Sequence, residues 1–180
     1  MSEAHTDGPA PSGKEARIMI AESVLARPEV AAAVAACPGA ITAGQESHGE
    51  VTVHVDPAQL VSLANFLKQQ QGFERLSAVT CVDWFPREPR FEVVYQLHSI
   101  RHNKRLRLKV ILHGTNPQVE SVAGVWRSAN WYEREVFDLF GVTFLHHPNL
   151  KRILMPEGWV GHPLRKDFPV HGHKYDYQEG

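Results

Sequence analysis

Three carboxylates and an arginine lie within one short stretch of the chain, at Glu133, Arg134, Glu135 and Asp138. If this stretch is helical, the four residues occupy about one and a half turns. Paired carboxylates can act as general acid and base when burial separates their pKa values. Charges opposite the apolar stripe of a helix, however, ordinarily face solvent or a partner. We therefore expect these carboxylates to have a surface or interface role rather than a catalytic one.

Histidines near the C-terminus offer a second kind of chemistry, because neutral imidazole is the commonest protein ligand for metals. They are His146, His147, His162, His171 and His173. A metal site needs three or four ligands in a fixed geometry. Adjacent histidines point in different directions, and the last two flank a single glycine. A metal-binding module that uses the C-terminal histidines stays open as an alternative.

Motifs for other chemistries are missing from the sequence. It contains no Gly-rich phosphate loop between a strand and a helix, and no G-x-S-x-G nucleophile elbow. Cys37 and Cys81 lie far apart and form no C-x-x-C. An iron–sulfur cluster needs about four thiolates, so these two cannot hold one alone. We expect no catalytic residue, no metal and no cofactor on this chain.

Size and composition are typical of a globular protein with extensions. The 180 residues are 43% hydrophobic and 22% charged, with a formal net charge of −1. Nucleic-acid binders need a basic surplus, so no nucleic-acid partner is expected. The longest apolar run, Val30 to Cys37, is far shorter than the roughly 20 residues that span a bilayer.

A cluster of basic residues qualifies this neutral balance, since five of them lie close together in one stretch: Arg101, Lys104, Arg105, Arg107 and Lys109. A solvated sheet face is the simplest interpretation. A protein partner of acidic character is the next, and a nucleic-acid binder is disfavoured by the net charge.

Periodicity predicts the elements that position these groups. Val51, Val53 and Val55 alternate with polar residues, as in a half-buried strand. Asp56 and Pro57 begin a helix with an apolar face, which we expect to end near residue 72. Three further strands are predicted at 75–84, 91–98 and 105–112, joined as an antiparallel meander.

The segments that follow are predicted to be helical. Residues 117–126 suggest one or two helical turns. Asn130 is expected to cap a last helix through a capping box with Glu133, and Gly141 to end it. The fold class is therefore α+β, with a mixed, largely antiparallel sheet packed with helices and a long irregular C-terminal extension.

This order of elements divides the chain into three parts. Residues 1–16 read as a disordered lead-in, 17–145 as the α+β domain, and 146–180 as an extended docking segment. Within that region we call Leu145 to Pro169 the strap. It has no helical or strand period, yet it carries many apolar and aromatic side chains. Long irregular loops are usually functional, so we expect the strap to dock on a partner and to have little structure alone.

The residues of this region also resemble a known family signature. Glu133-Arg134-Glu135 is followed by Asp138-Leu139-Phe140, then His147, and later by the run GWVGHPLRKDFP from Gly158 to Pro169. This pattern resembles the subunits C of proton-translocating NADH-quinone oxidoreductases (respiratory complex I), the counterparts of the mitochondrial 30-kilodalton subunit. The family often has Asp and Arg where this chain has Asn149 and Lys151.

The resemblance implies a cofactor-free subunit of the peripheral arm, with FMN and Fe–S clusters on other subunits. The implied partners form a hetero-oligomer with subunits D, B and I of that complex. The first of the three lines the quinone site and is the foremost expected partner; we call it the quinone-site subunit. The implied location is the cytoplasmic face of the bacterial plasma (inner) membrane, as a peripheral protein.

The resemblance also implies a set of residues at the partner interface. They are Glu133, Arg134, Glu135, Asp138, His147, Lys151, Arg152, Trp159, His162, Arg165, Lys166, Asp167 and Phe168.

Two further expectations follow from this resemblance. Truncation after about Leu145 should leave a foldable domain that cannot join the complex. An equivalent subunit of a related membrane-bound hydrogenase-type complex stays open as a second assignment, because this subunit touches neither electron donor nor acceptor.

Overall fold

The computed structural model describes residues 19–169. Its strands are β1 (Met19–Ile20), β2 (Ile41–Ser47), β3 (Glu50–Val55), β4 (Arg75–Asp83), β5 (Phe91–Ser99), β6 (Lys104–Leu112), β7 (Gln118–Glu120) and β8 (Thr143–Leu145). Its helices are α1 (Glu22–Leu25), α2 (Pro28–Ala36), α3 (Leu60–Gln69) and α4 (Ala129–Phe140).

Six strands form one mixed sheet in the order β1-β2-β3-β6-β5-β4. β4, β5 and β6 are the antiparallel meander that the alternating sequence predicts. β2 and β3 form an antiparallel hairpin, and β3 pairs with β6 in parallel. The remaining strands, β7 and β8, form a separate parallel pair. The predicted α+β class with a largely antiparallel sheet is confirmed.

The two faces of the sheet have different chemistry. Val53, Leu108 and Tyr95 lie in register across three strands, and all three are buried in the core with the apolar face of α3. Because successive strand residues point to opposite faces, the next row, which includes Arg107 and Gln96, lies on the other side. Helices therefore cover one face, and the opposite face carries charged and polar side chains.

Local signals placed most element ends correctly. The Asp56 carboxylate accepts a hydrogen bond from the N–H of Ala58 at 2.9 Å, and Pro57 begins the turn of 3-10 helix that leads into α3. Gly141 ends α4 in the left-handed conformation, at φ +71°. Glycine is favoured at such a position because it has no Cβ to clash.

Two predicted helical features are wrong. α4 begins at Ala129, so Asn130 lies inside the helix and does not cap it, and Glu133 takes no part in a capping box. The preceding Ser128 does not cap either, because its hydroxyl donates to the carbonyl of Leu76 instead. Residues 118–120 form strand β7 rather than helical turns, since pairing with β8 satisfies their backbone while Val119 enters the core.

The irregular C-terminal extension is confirmed over residues 146–169, which contain no helix and no strand. The predicted lead-in at 1–16 and the rest of the docking segment, 170–180, lie outside the described residues. No helix within residues 19–169 is long and apolar enough to cross a membrane.

Candidate functional site

The carboxylate of Asp138 binds the backbone of the strap. Its Oδ2 accepts hydrogen bonds from three consecutive N–H groups, those of Ile153 at 2.9 Å, Leu154 at 2.7 Å and Met155 at 2.9 Å. Its Oδ1 accepts a hydrogen bond from Nη1 of Arg152 at 2.6 Å. Consecutive N–H groups that converge in this way form an anion-binding nest. We call this group of residues the Asp138 cradle.

Burial and pairing in the Asp138 cradle act against each other. Asp138 is fully buried, and burial by itself raises the pKa of a carboxyl group. The three backbone N–H donors and Arg152 outweigh that effect, so the pKa of Asp138 is lowered from its ordinary value. The group is therefore a carboxylate at neutral pH, and it is a satisfied one. Its structural consequence is to hold the strap against α4.

Basic side chains of the strap also cover the C-terminal end of α4. Nδ1 of His162 lies 2.9 Å from the carbonyl oxygen of Asp138, and Nε of Arg165 donates to the carbonyl of Phe140 at 2.5 Å. Cations stabilise the last carbonyls of a helix, which carry its partial negative charge. A Cβ at Gly141 would lie 2.5 Å from the His162 ring, so this approach also requires glycine.

A second anchor joins the end of the strap to the sheet through Arg90. Its guanidinium donates to both oxygens of Asp83, at 2.9 and 2.8 Å, and to both oxygens of Asp167, at 2.9 and 2.7 Å. The N–H of Lys166 also donates to Asp83. Burial raises the pKa of Asp83, but Arg90 and the backbone donors outweigh it and lower the pKa to about 2. We call these four residues the Arg90 clamp.

Glu133 occupies a third polar pocket, on the side of α4 that faces the domain interior. It accepts hydrogen bonds from the Ser121 hydroxyl at 2.5 Å and the N–H of Val122 at 2.8 Å. The ring of His147 lies 3.8 Å away. Burial raises the pKa of Glu133 to about 7, because these donors offset only part of the cost of desolvation. Glu133 is fully buried, and it therefore holds the loop before α4 rather than a substrate.

The expectation that the α4 carboxylates face solvent or a partner is wrong for two of the three. Glu133 and Asp138 are fully buried, and only Glu135 is exposed. The physical reason is that polar groups of the same chain, from the strap and the loop before α4, cover the polar side of this helix. The expectation that the strap has little structure of its own is corrected for the same reason.

The remaining predicted interface residues fall into two groups. Arg134 donates to the carbonyls of Lys151 and Arg152, so its guanidinium is used within the chain. Trp159 and Phe168 stack on each other with ring centroids 6.4 Å apart. The side chains of Lys151 and Lys166 are exposed. The structure thus brings most of the predicted residues together around the strap, as its anchors more than as its outer surface.

Arg90 and Asp83 were missed at the sequence level, although the strap depends on them. The available signal was their position at the facing ends of two predicted strands, since Asp83 pairs with Phe91 in the meander. Antiparallel neighbours of this kind place an acid and a base side by side. Nothing local indicates Asp167, which lies 77 residues from Arg90.

No metal site is found among residues 19–169, where no group of three or more His, Cys, Asp or Glu side chains could hold an ion. His146 pairs with Glu120, and His147 and His162 contact backbone carbonyls of α4. The predicted metal ligands His171 and His173 lie outside the described residues.

Several large apolar side chains remain exposed around the strap. They are Trp131 (60% exposed), Leu154 (56%), Val160 (66%) and Leu164 (51%). Large exposed apolar groups next to arginine and tryptophan are typical of protein–protein interfaces. The site as a whole is a segment fixed by polar contacts on its inner side, with apolar groups on its outer side.

Comparison with known proteins agrees with this description. The family described as "Respiratory-chain NADH dehydrogenase, 30 Kd subunit" matches residues 53–174, which is more than half of the chain. Two relatives are NADH-quinone oxidoreductase subunits C of bacteria. The one from Geobacter sulfurreducens is 50% identical over 71% of this chain and 80% of its own length. The one from Roseiflexus sp. is 49% identical over 76% of this chain and 79% of its own.

Two solved structures share the fold. A trypsin-resistant fragment of Nqo5 superposes with a TM-score of 0.55 and 31% identity, over 59% of this chain and 88% of the fragment. A chain of the membrane-bound sulfane sulfur reductase, an archaeal respiratory membrane complex, superposes with a TM-score of 0.67 and 25% identity, over 78% and 84%. From the family match and the identity to its bacterial relatives, this chain belongs to the family of the 30-kilodalton subunit of respiratory-chain NADH dehydrogenase.

Proposed function

We propose that this chain is a structural subunit of the NADH:quinone oxidoreductase peripheral arm, and that it carries no catalytic residue and no cofactor. FMN and the Fe–S clusters that pass electrons to quinone then reside on other subunits. The observation that carries the proposal is the strap itself. It is fixed on the domain by the Asp138 cradle and the Arg90 clamp, while Leu154, Val160 and Leu164 point outward.

Fixing the strap before assembly favours binding. Ordering a flexible segment at an interface costs free energy, which a segment already held in place does not lose again. Each anchor on the inner side therefore contributes to affinity without touching the partner. Arg134, Arg152 and Arg165 act in this way, because their donors are used on α4 and the strap itself.

The quinone-site subunit is the partner we propose for the outer side of the strap, with subunits B and I as further neighbours. The contact then consists of exposed apolar residues flanked by exposed charges. These are Trp131, Leu154, Val160 and Leu164, with Glu135, Lys151 and Lys166 around them. Clusters of this composition form the core and rim of protein interfaces. Through the quinone-site subunit the chain is held at the cytoplasmic face of the bacterial plasma membrane, as a peripheral protein.

Co-purification with the quinone-site subunit tests the proposed contact. The double variant Leu154→Asp/Val160→Asp places two charges on the outer side of the strap and leaves its inner hydrogen bonds intact. We expect at least a tenfold lower yield of that partner, because an unpaired charge in an apolar interface is costly to desolvate. Leu25→Asp, on α1, changes a similarly exposed leucine away from the strap and should leave the yield unchanged.

The point variants separate docking from folding better than truncation does. Removing everything after Leu145 takes away the donors to Asp138 and the Arg90 clamp as well as the outer side. The existence of a trypsin-resistant fragment in Nqo5 supports a domain that persists alone in that relative. Normal yield of the quinone-site subunit with the double variant would overturn the proposed contact.

Membership of a related respiratory complex is the second candidate function. The likeness to a chain of the archaeal sulfane sulfur reductase complex favours it, since that likeness spans most of the chain. Identification of all co-purifying subunits by mass spectrometry distinguishes the two. An NADH-oxidising flavoprotein among them supports the first function, and a complex that lacks one supports the second.

A further inference from the structure

The face of the sheet away from the helices contains an open cleft of about 430 Å³, which the proposed function leaves unused. Arg75 of β4, His98 of β5 and Arg105 of β6 form one row across it, because Arg75 pairs with His98 and His98 pairs with Arg105. Arg107 and Gln96 form the next row. We call this feature the basic cleft.

Two of the arginines in the basic cleft have no partner among the described residues. Arg107 pairs with Glu50, whereas Arg75 and Arg105 make no ion pair within residues 19–169. Adjacent strands lie about 4.8 Å apart, so the two strands that carry them are separated by about 10 Å. His98 lies between them, and its buried Nε2 also lacks a hydrogen-bond partner in the described part of the chain.

Three arginines against one glutamate give the cleft a positive charge in a chain whose net charge is −1. Guanidinium groups prefer carboxylates, which they can bind through two parallel hydrogen bonds. Ile100, in the adjoining β5–β6 turn, is 59% exposed and adds an apolar contact. The combination suits an acidic protein surface, and the net charge argues against nucleic acid.

The basic cleft is distant from the strap. Arg75 begins β4, and Asp83, which binds the strap, ends it. Eight residue steps at about 3.3 Å each place the two ends about 26 Å apart. One partner of ordinary interface size, about 800 Å² on each side, that covers the strap leaves the cleft free for another contact.

We propose that the basic cleft binds an Asp/Glu-rich segment of another subunit, at a second interface separate from the strap. This extends the proposed function and rests on it, since it requires that the chain assemble into the complex. The chain then joins two neighbours from opposite ends of one sheet.

Photo-crosslinking in the assembled complex tests this inference. Ser77 lines the basic cleft, and replacing it with p-benzoylphenylalanine in the full-length chain, in membranes, reports what lies there. We expect crosslinks to a segment of another subunit that is rich in Asp and Glu. The double variant Arg75→Glu/Arg105→Glu should lower the crosslink yield about tenfold, because two favourable charge contacts become repulsive.

Two matched variants separate charge from fold. Arg75→Lys/Arg105→Lys keeps both charges and should retain the crosslink within about threefold. Arg127→Glu reverses an exposed charge on the loop that packs against α3, and it should leave the crosslink unchanged. Equal melting temperatures of the variants show that lost crosslinking is not lost folding.

Other outcomes overturn the inference. These are crosslinks to lipid, to nucleic acid, to a segment without acidic residues or to residues 1–18 or 170–180 of the same chain. The absence of crosslinks in a complex that contains the quinone-site subunit does so as well. Co-purification of that subunit in the same samples reports separately on the proposed function, so its loss identifies failure of that function rather than of the cleft alone.

Discussion

The sheet and the strap are held in place by different interactions. Leu108 and Tyr95 belong to a large buried cluster in which each side chain touches many others. The strap contributes little to that cluster, and Leu154 and Leu164 are more than half exposed. Its position depends on the Asp138 cradle, the Arg90 clamp and the cap on α4. Apolar burial is shared among many residues, whereas the strap depends on a few polar groups, so single substitutions should separate the two regions.

The largest effect should come from the sheet. Leu108→Ala removes a buried side chain from the centre of β6 and leaves a cavity, which should lower the free energy of unfolding by about 4 kcal/mol. Chemical denaturation measures this loss. Because the strap rests on the sheet, hydrogen exchange should accelerate in both regions together. Leu25→Ala, at an exposed leucine, is the control, and a loss below about 1 kcal/mol for Leu108→Ala would contradict the distinction.

Asp138→Ala should affect the strap more than the sheet. It leaves three N–H groups and Arg152 without their acceptor, at a cost of about 3 kcal/mol to the closed strap. Hydrogen exchange should accelerate about 100-fold at the amides of residues 153–155 and much less in β5. Glu135→Ala changes an exposed carboxylate of the same helix and should have no effect. Unchanged exchange at residues 153–155 would show that other contacts hold the strap.

Glu133 should make the stability of the domain depend on pH. Its pKa in the folded protein, about 7, lies above its ordinary value of 4.5, so the folded state binds more protons than the unfolded state. Stability from this group is therefore complete below pH 4.5 and is lost as the pH rises to 7. The decline between about pH 5 and pH 7 should be roughly 2 kcal/mol.

Glu133→Gln should remove this decline, because the amide oxygen still accepts from Val122 and carries no charge to desolvate. The measurement is the difference in unfolding free energy between wild type and variant at each pH, which subtracts the histidine contributions that both proteins share. Asp83 adds no slope in this window, since its pKa is about 2. A difference that does not vary with pH would contradict the buried, protonated state of Glu133.

Asp167→Asn should have the smallest effect. The side chain of Asp167 is 43% exposed, and Arg90 keeps its buried pair with Asp83. Exposed ion pairs contribute below about 1 kcal/mol. Denaturation should therefore show little change, and only exchange at the end of the strap should rise. A loss as large as that of Asp138→Ala would show that the Arg90 clamp, rather than the Asp138 cradle, is the main anchor.

Local sequence patterns predicted the elements that depend on local interactions. Alternation in β5 and β6 predicted the meander because a pleated strand places every second side chain in the core. Asp56 predicted the start of α3 because a helix cap acts within three residues. The capping box at Asn130 satisfied the same spacing and was wrong, since burial of Glu133 among distant groups competed with local capping.

Residues in the family signature were correctly selected as functional candidates, but their roles were not. Arg152 and Asp138 were expected to meet a partner, and in the structure they meet each other at 2.6 Å. A charge pattern on a helix indicates that the charges have partners without indicating whether these belong to the same chain. That distinction depends on where an irregular segment folds back, which no periodicity encodes.

By itself, the sequence determined the α+β class, the meander, α3, the irregular strap and the family resemblance, because each depends on neighbouring residues or on a contiguous motif. The tertiary structure alone decided that Asp138 binds the strap, that Arg90 joins Asp83 to Asp167, and that Arg75 and Arg105 lie in one row. These groups lie far apart along the chain, and Asp167 lies 77 residues from Arg90. Their energies depend on burial and hydrogen-bond geometry, which exist only once the chain has folded.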